Sequence, residues 1–163
     1  MKKTTFFFIT LINITLIGNN TLSAQEQPRT NIIKNFYTQM FAEDIKAEDL
    51  VKNLIRYADT LSFKNTVNAL LDIRNPKNEI SDNFILMKDD ITNNKIKIYD
   101  YKSFTPKDKS KFIFLDPLRR KDVYKVIFKN AMPSFILLND NKIESFIGFQ
   151  KPGSEVYTFL VFE

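Results

Sequence analysis

The chain contains no histidine and no cysteine. These absences remove the commonest general base, the commonest transition-metal ligand, thiol catalysis and the usual zinc sites. Any chemistry must come from Asp, Glu, Lys, Tyr, Ser or Thr. Beyond residue 24 the only glycines are Gly148 and Gly153, so a phosphate-cradling glycine loop is excluded. Asp100, between Tyr99 and Tyr101, is the candidate catalytic base. Strand alternation would put it on the face of Ile96 and Ile98, where apolar surroundings push a carboxyl up. The plainer reading is an exposed residue ending a strand. Asp89-Asp90 and Asn139-Asp140-Asn141 lack the spacing and the bidentate Glu of a calcium loop and read as turns, so neither metal nor cofactor is expected.

Two further sets of residues have the chemistry of a binding site. Tyr37, Tyr57, Tyr99 and Tyr101 would line an amphipathic pocket for a small organic ligand or a peptide if they converged. Otherwise each sits half buried at the margin of the core. The segment 102–129 carries nine basic side chains against three acidic ones, whereas 30–90 carries eight against ten. Lys111, Arg119, Arg120 and Lys121 are its candidate anion-binding residues, with lipopolysaccharide, anionic lipid or polysaccharide as partners. The alternative is a pair of solvated loops whose lysines protect strand edges from mispairing. No nucleic-acid-binding motif is present, and nucleic acid is not an expected partner.

The elements that must position these residues fall into two halves. Ile32, Ile33, Phe36, Tyr37, Met40 and Phe41 make a helical stripe. Ala47, Leu50, Val51, Leu54, Ile55 and Ala58 make a second, with Glu48 and Asp49 in its first turn, where carboxylates suit the helix dipole. A third helix begins with Ser62 as cap and stops at Asn75-Pro76. From there strands are expected at 84–87, 95–99 and 111–115, followed by an antiparallel meander over 123–162. One meander turn is Asn139-Asp140-Asn141-Lys142, with Asn141 at positive φ. The other is Lys151-Pro152-Gly153-Ser154, of type II. The last strand, 156–162, is apolar on both faces and needs cover on both. It is expected to pair with 143–149 and to pack Leu160 and Phe162 under the first helix. The fold class is therefore α+β, with N-terminal helices on a curved, mainly antiparallel sheet of about six or seven strands.

Lys2 and Lys3, the apolar run 6–17 and the small residues Ser23 and Ala24 form a secretory signal, with cleavage expected after Ala24. The run is too short for a membrane span of about 20 residues, so no transmembrane segment is expected after its removal. Residues 1–24 are then the signal and 25–163 a single domain. Losing Lys2 and Lys3 lowers the formal net charge from +5 to +3. The Asn-, Lys- and Ile-rich usage suggests a bacterial source, hence a periplasmic or secreted protein. Without cysteine, packing alone must hold it together.

The helix Ile32-Ile33-Lys34-Asn35-Phe36-Tyr37-Thr38-Gln39-Met40-Phe41 followed by the meander resembles the NTF2-like and cystatin-like superfolds. The resemblance lies in layout, not in a motif. It implies helices lying across a strongly curved sheet, in some members with a deep pocket between them. Several NTF2-like enzymes use a histidine–aspartate pair there, which this chain lacks. The function expected is a small non-enzymatic domain that binds a ligand or a protein. The alternatives are an NTF2-like enzyme using carboxylate and tyrosine acid–base chemistry, or binding to an anionic surface through 102–129.

Overall fold

The computed structural model describes residues 23–78 and 81–161. Most of the expected export signal and Phe162 lie outside this range. The fold is α+β. Its centre is a four-stranded antiparallel sheet in the order β1 (Ile96–Asp100), β2 (Val123–Phe128), β3 (Ser134–Asn139), β4 (Lys142–Ser145). A separate two-stranded sheet joins β5 (Gly148–Gln150) to β6 (Tyr157–Phe159). Among the described residues this makes six strands in two sheets, in place of one sheet of six or seven.

Helices cover one face of the large sheet. In α1 (Ser23–Met40) the residues Ile33, Phe36, Tyr37 and Met40 are all buried, so the stripe read from the sequence is the packed face. Arg74 ties off its end by donating to the Gln39 and Met40 carbonyls of the last turn, and it holds the link to α2 by donating to the Ile45 carbonyl, all at 2.7–2.9 Å. Helix α2 (Ala47–Leu54) stops before Ala58, because Ile55 turns extended and bridges to Ile143 on the edge of β4. Helix α3 (Thr60–Arg74) is capped by Asp59 and not by Ser62. Ser62 is instead the third helical residue and completes a capping box.

The segment 84–87 is part of a helix, α4 (Ser81–Thr92), and not a strand. Four apolar residues in a row suit either state, and tertiary packing decides. Met87 is buried, and Phe84 and Ile91, three residues before and four after it, pack on the same core. Asp90 on this helix is fully buried and accepts hydrogen bonds from the Asn130 amide (2.6 Å), its side chain (2.8 Å) and the Ala131 amide (3.4 Å). Burial alone would raise its pKa, but these donors outweigh it and the carboxyl titrates below the ordinary range. A depressed folded-state pKa gives stability that is present above the unfolded value of about 3.9 and lost as pH falls through the folded one. Urea melts should therefore show wild type more stable than Asp90→Asn at pH 7, with the gap closing below about pH 4. A pH-independent gap would mean that shape, not charge, matters at this position.

The other face of the sheet has its own cover, because β2 and β3 are apolar on both sides. Tyr124, Val126, Ile136 and Leu138 face the helices, whereas Val123, Phe135 and Leu137 join Phe104 and Phe112. The cover is the excursion between β1 and β2, which includes the short helix α5 (Pro106–Ser110), together with the β5–β6 hairpin. Residues 111–115 are turns and not a strand, and of them only Phe112 is buried. The terminal strand is shorter than expected and packs the other way. Tyr157 and Phe159 lie against Phe112 at 5.8 and 5.7 Å between ring centroids, while Leu160 is 43% exposed and not packed in the core. The strand's pairing partner is β5, which overlaps the expected stretch 143–149 only at Gly148 and Phe149. Gly148 permits that pairing, since a Cβ there would lie 2.3 Å from the Tyr157 ring.

The type II turn forms as read, with Gly153 at φ 75° and the Ser154 amide donating to Lys151. In the other turn positive φ falls on Asp140 (52°) and not on Asn141. Asp140 is the first residue of a two-residue hairpin loop, the position that type II′ geometry requires to be left-handed.

Candidate functional site

The sequence-derived sets do not converge. Tyr37 is core, and its buried hydroxyl faces Ser134 without a hydrogen bond of acceptable geometry. Burial pushes that hydroxyl up, and pushes the Tyr157 hydroxyl up to about 12. Tyr57 lies on the link between α2 and α3, Tyr99 is exposed on β1, and Tyr101 packs on Phe104 and Phe112 beneath the opposite face of the sheet. Asp100 caps the 3-10 turn Tyr101–Ser103 by accepting from the Ser103 amide (2.9 Å) and hydroxyl (2.7 Å). Partial burial would raise its pKa, but those bonds prevail and hold the carboxyl below the ordinary range. The raised carboxyl expected from Ile96 and Ile98 is thus corrected by the cap.

The basic set is divided as well. Lys111 reaches Gln150 (3.3 Å), and Arg120 donates to the carbonyls of Ile113 (2.6 Å) and Leu115 (3.1 Å). Lys121 is exposed and shares the wall of a hollow of about 350 Å³ with Arg29, Arg119 and Asp122. Arg119 turns inward, where it grips Glu144 at 2.6 Å and lies 3.5 Å from Asp122. Asp122 in turn takes Arg29 at 2.6 Å. The result is an alternating chain Arg29–Asp122–Arg119–Glu144 whose two carboxylates are buried. Arg29 also meets the Tyr124 hydroxyl.

Glu144 reaches this position through an irregularity in β4. Leu137 pairs with Ser145 and Leu138 with Ile143, so Glu144 is the extra residue of a bulge. The bulge breaks the alternation and buries Ile143, Glu144 and Ser145 together. On the same edge, the Arg56 amide donates to the Ile143 carbonyl at 2.7 Å. This brings the link after α2 alongside Glu144. The two features form a cleft of about 530 Å³, lined by Arg56, Tyr57, Ala58, Arg119, Asn139, Glu144 and Val161. The Tyr57 ring is held edge-on to Phe63 at 5.1 Å, with the Lys142 ammonium 6.0 Å from its centroid.

No protein family, curated protein or solved structure matches the chain. Among the described residues no group of three or more acidic side chains is placed to hold a metal ion, and no helix is long and apolar enough to cross a membrane.

Charge decides what the cleft can do. Arg119 and Glu144 neutralise each other on its floor. Arg56, exposed at its mouth, has no side-chain hydrogen bond or ion pair among the described residues. An uncompensated guanidinium beside a flat aromatic wall is an anion-binding arrangement. Sequence reading missed it because Arg56 lies far from the basic run, and only the bridge from Ile55 to Ile143 places it. A further apolar cleft of about 560 Å³, lined by Phe41, Ile73, Phe84 and Ile85 among others, has its arginine, Arg74, already bound to three carbonyls.

Proposed function

We infer that this chain is an exported, non-catalytic binding module that holds the anionic group of a small ligand, a carboxylate or a phosphate, at Arg56. The observation that carries this reading is the guanidinium of Arg56, without a side-chain partner among the described residues, beside an already neutralised Arg119–Glu144 pair. Tyr57 offers the ligand's body a flat apolar wall, and Asn139 a polar contact. A binding role is further supported by how the buried carboxylates are held. Asp90 is taken up by amides, and Asp122 and Glu144 by guanidinium groups, an arrangement suited to rigidity more than to proton transfer. The export signal at 1–24 accords with a role in the periplasm or outside the cell.

Thermal melting with sodium phosphate, against sodium chloride of equal ionic strength, tests this. At about five times its dissociation constant a ligand adds about 1 kcal/mol, or about 3 °C in a domain of this size. Wild type should show the shift and Arg56→Gln should lose it. An equal shift in both proteins would remove Arg56 from the site.

A further inference from the structure

The loop that links α5 to the start of β2 presents large apolar side chains to water. Phe114 is 82% exposed, Leu118 77% and Ile113 53%, while Phe112 beside them is 1% exposed. This exposure is built into the loop. Phe112 anchors it among Phe104, Phe135 and Phe159. Arg120 clamps the carbonyls of Ile113 and Leu115, and the Asp116 side chain accepts from the Leu118 amide at 2.8 Å. The Tyr157 amide bonds the Lys111 carbonyl at 2.9 Å and fixes the base of the loop to β6. A loop held at this many points holds its apolar residues outward, where each costs hydration free energy unless something covers it.

The charges around the tip point to what that is. Lys109, Lys111 and Arg120 bond only neutral oxygens among the described residues, so their charges are uncompensated. Of the nearby acids, Asp108 is spent on Lys125 at 2.7 Å. The carboxylate of Asp116, exposed within the tip, accepts only the Leu118 amide among the described residues, so three cations stand against one unpaired carboxylate. The tip is convex. Side chains standing this free of the surface suit a fluid apolar medium, which needs no matching pocket, and the cationic surround suits acidic headgroups.

We propose that this loop docks the protein on an anionic lipid bilayer, with Ile113, Phe114 and Leu118 entering the interface and the surrounding lysines and arginine facing the headgroups. The proposal is independent of the cleft at Arg56. Co-sedimentation with vesicles of phosphatidylglycerol and phosphatidylcholine tests it, with pure phosphatidylcholine and soluble dextran sulfate as comparisons. Wild type should bind the mixed vesicles at least tenfold more tightly than pure phosphatidylcholine, and lose affinity as salt rises. Phe114→Ser/Leu118→Ser should lose at least tenfold on mixed vesicles while binding dextran sulfate as wild type does. Its melting temperature should be unchanged, because neither side chain is packed. Equal vesicle binding by wild type and variant, or no vesicle binding by wild type, would overturn the proposal. So would a wild-type dimer in sedimentation velocity that the variant abolishes, which would assign the tip to a second copy of the chain.

Discussion

Replacing Arg119 by alanine is expected to cost about 3 kcal/mol of stability, within the range for stranding a buried charge and reduced because water reaches part of the side chain. The guanidinium serves Glu144 at 2.6 Å, Asp122 at 3.5 Å and the Leu138 carbonyl at 3.3 Å. Its side chain is 32% exposed, against 11% for Glu144 and 9% for Asp122. Removing it strands Glu144 with little water to take its place, while Asp122 keeps Arg29 at 2.6 Å. The loss should therefore come mostly from the stranded Glu144 and not from the bonds themselves. Glu144→Gln added to Arg119→Ala should recover part of the stability, and the double-mutant cycle should give a coupling of about 1–3 kcal/mol. Arg119→Lys should fall between, since an ammonium cannot fork across Glu144 while also reaching Asp122. Urea denaturation measures wild type, Arg119→Ala, Glu144→Gln, their combination and Arg119→Lys. If Arg119→Ala loses less than about 1 kcal/mol, as exposed ion pairs do, the network is a surface feature.

The second large effect is expected at Phe112. Its ring lies 5.0–6.4 Å from the rings of Tyr101, Phe104, Phe135, Tyr157 and Phe159. Through them it joins the excursion, the sheet and the β5–β6 hairpin. Phe112→Ala should cost about 3–5 kcal/mol, the usual range for emptying a buried aromatic site. Against a total of about 5–15 kcal/mol, that is enough to bring a domain without disulfides close to unfolding. Phe112→Leu, which keeps most of the volume, should cost clearly less. The measurement is the urea midpoint with the slope held constant. A loss under about 1 kcal/mol for the alanine variant would show that the second layer adds little to the fold.

What could be read from the sequence was local. The stripe Ile33, Phe36, Tyr37 and Met40, the stop at Asn75-Pro76 and the Pro152-Gly153 turn each depend on neighbours a few residues away. Phe84 to Met87 misled because four apolar residues carry no period of their own, and packing over Met87 and Ile91 settled them as helix. The run 111–115 misled for a related reason: composition favoured a strand, yet only Phe112 had room inside. The site was not legible because its geometry is non-local. Arg29 meets Asp122 across 93 positions and Arg119 meets Glu144 across 25. The bulge that aims Glu144 exists only in the register between β3 and β4. Asp100 shows the reverse case, in which strand alternation was read correctly but a cap three residues long took the carboxyl.

The claim that Arg56 receives an anion is tested most directly by NMR of the arginine side chains. The Nε–Hε signals of Arg56 and Arg120 would be followed while phosphate, and separately N-acetylglycine, is added at constant ionic strength. The account predicts a saturable shift at Arg56 for at least one of the two probes, with Arg120, bound to its carbonyls, left nearly unmoved. An Arg56 signal that stays still for both, or that drifts without saturation in step with Arg120, would contradict it.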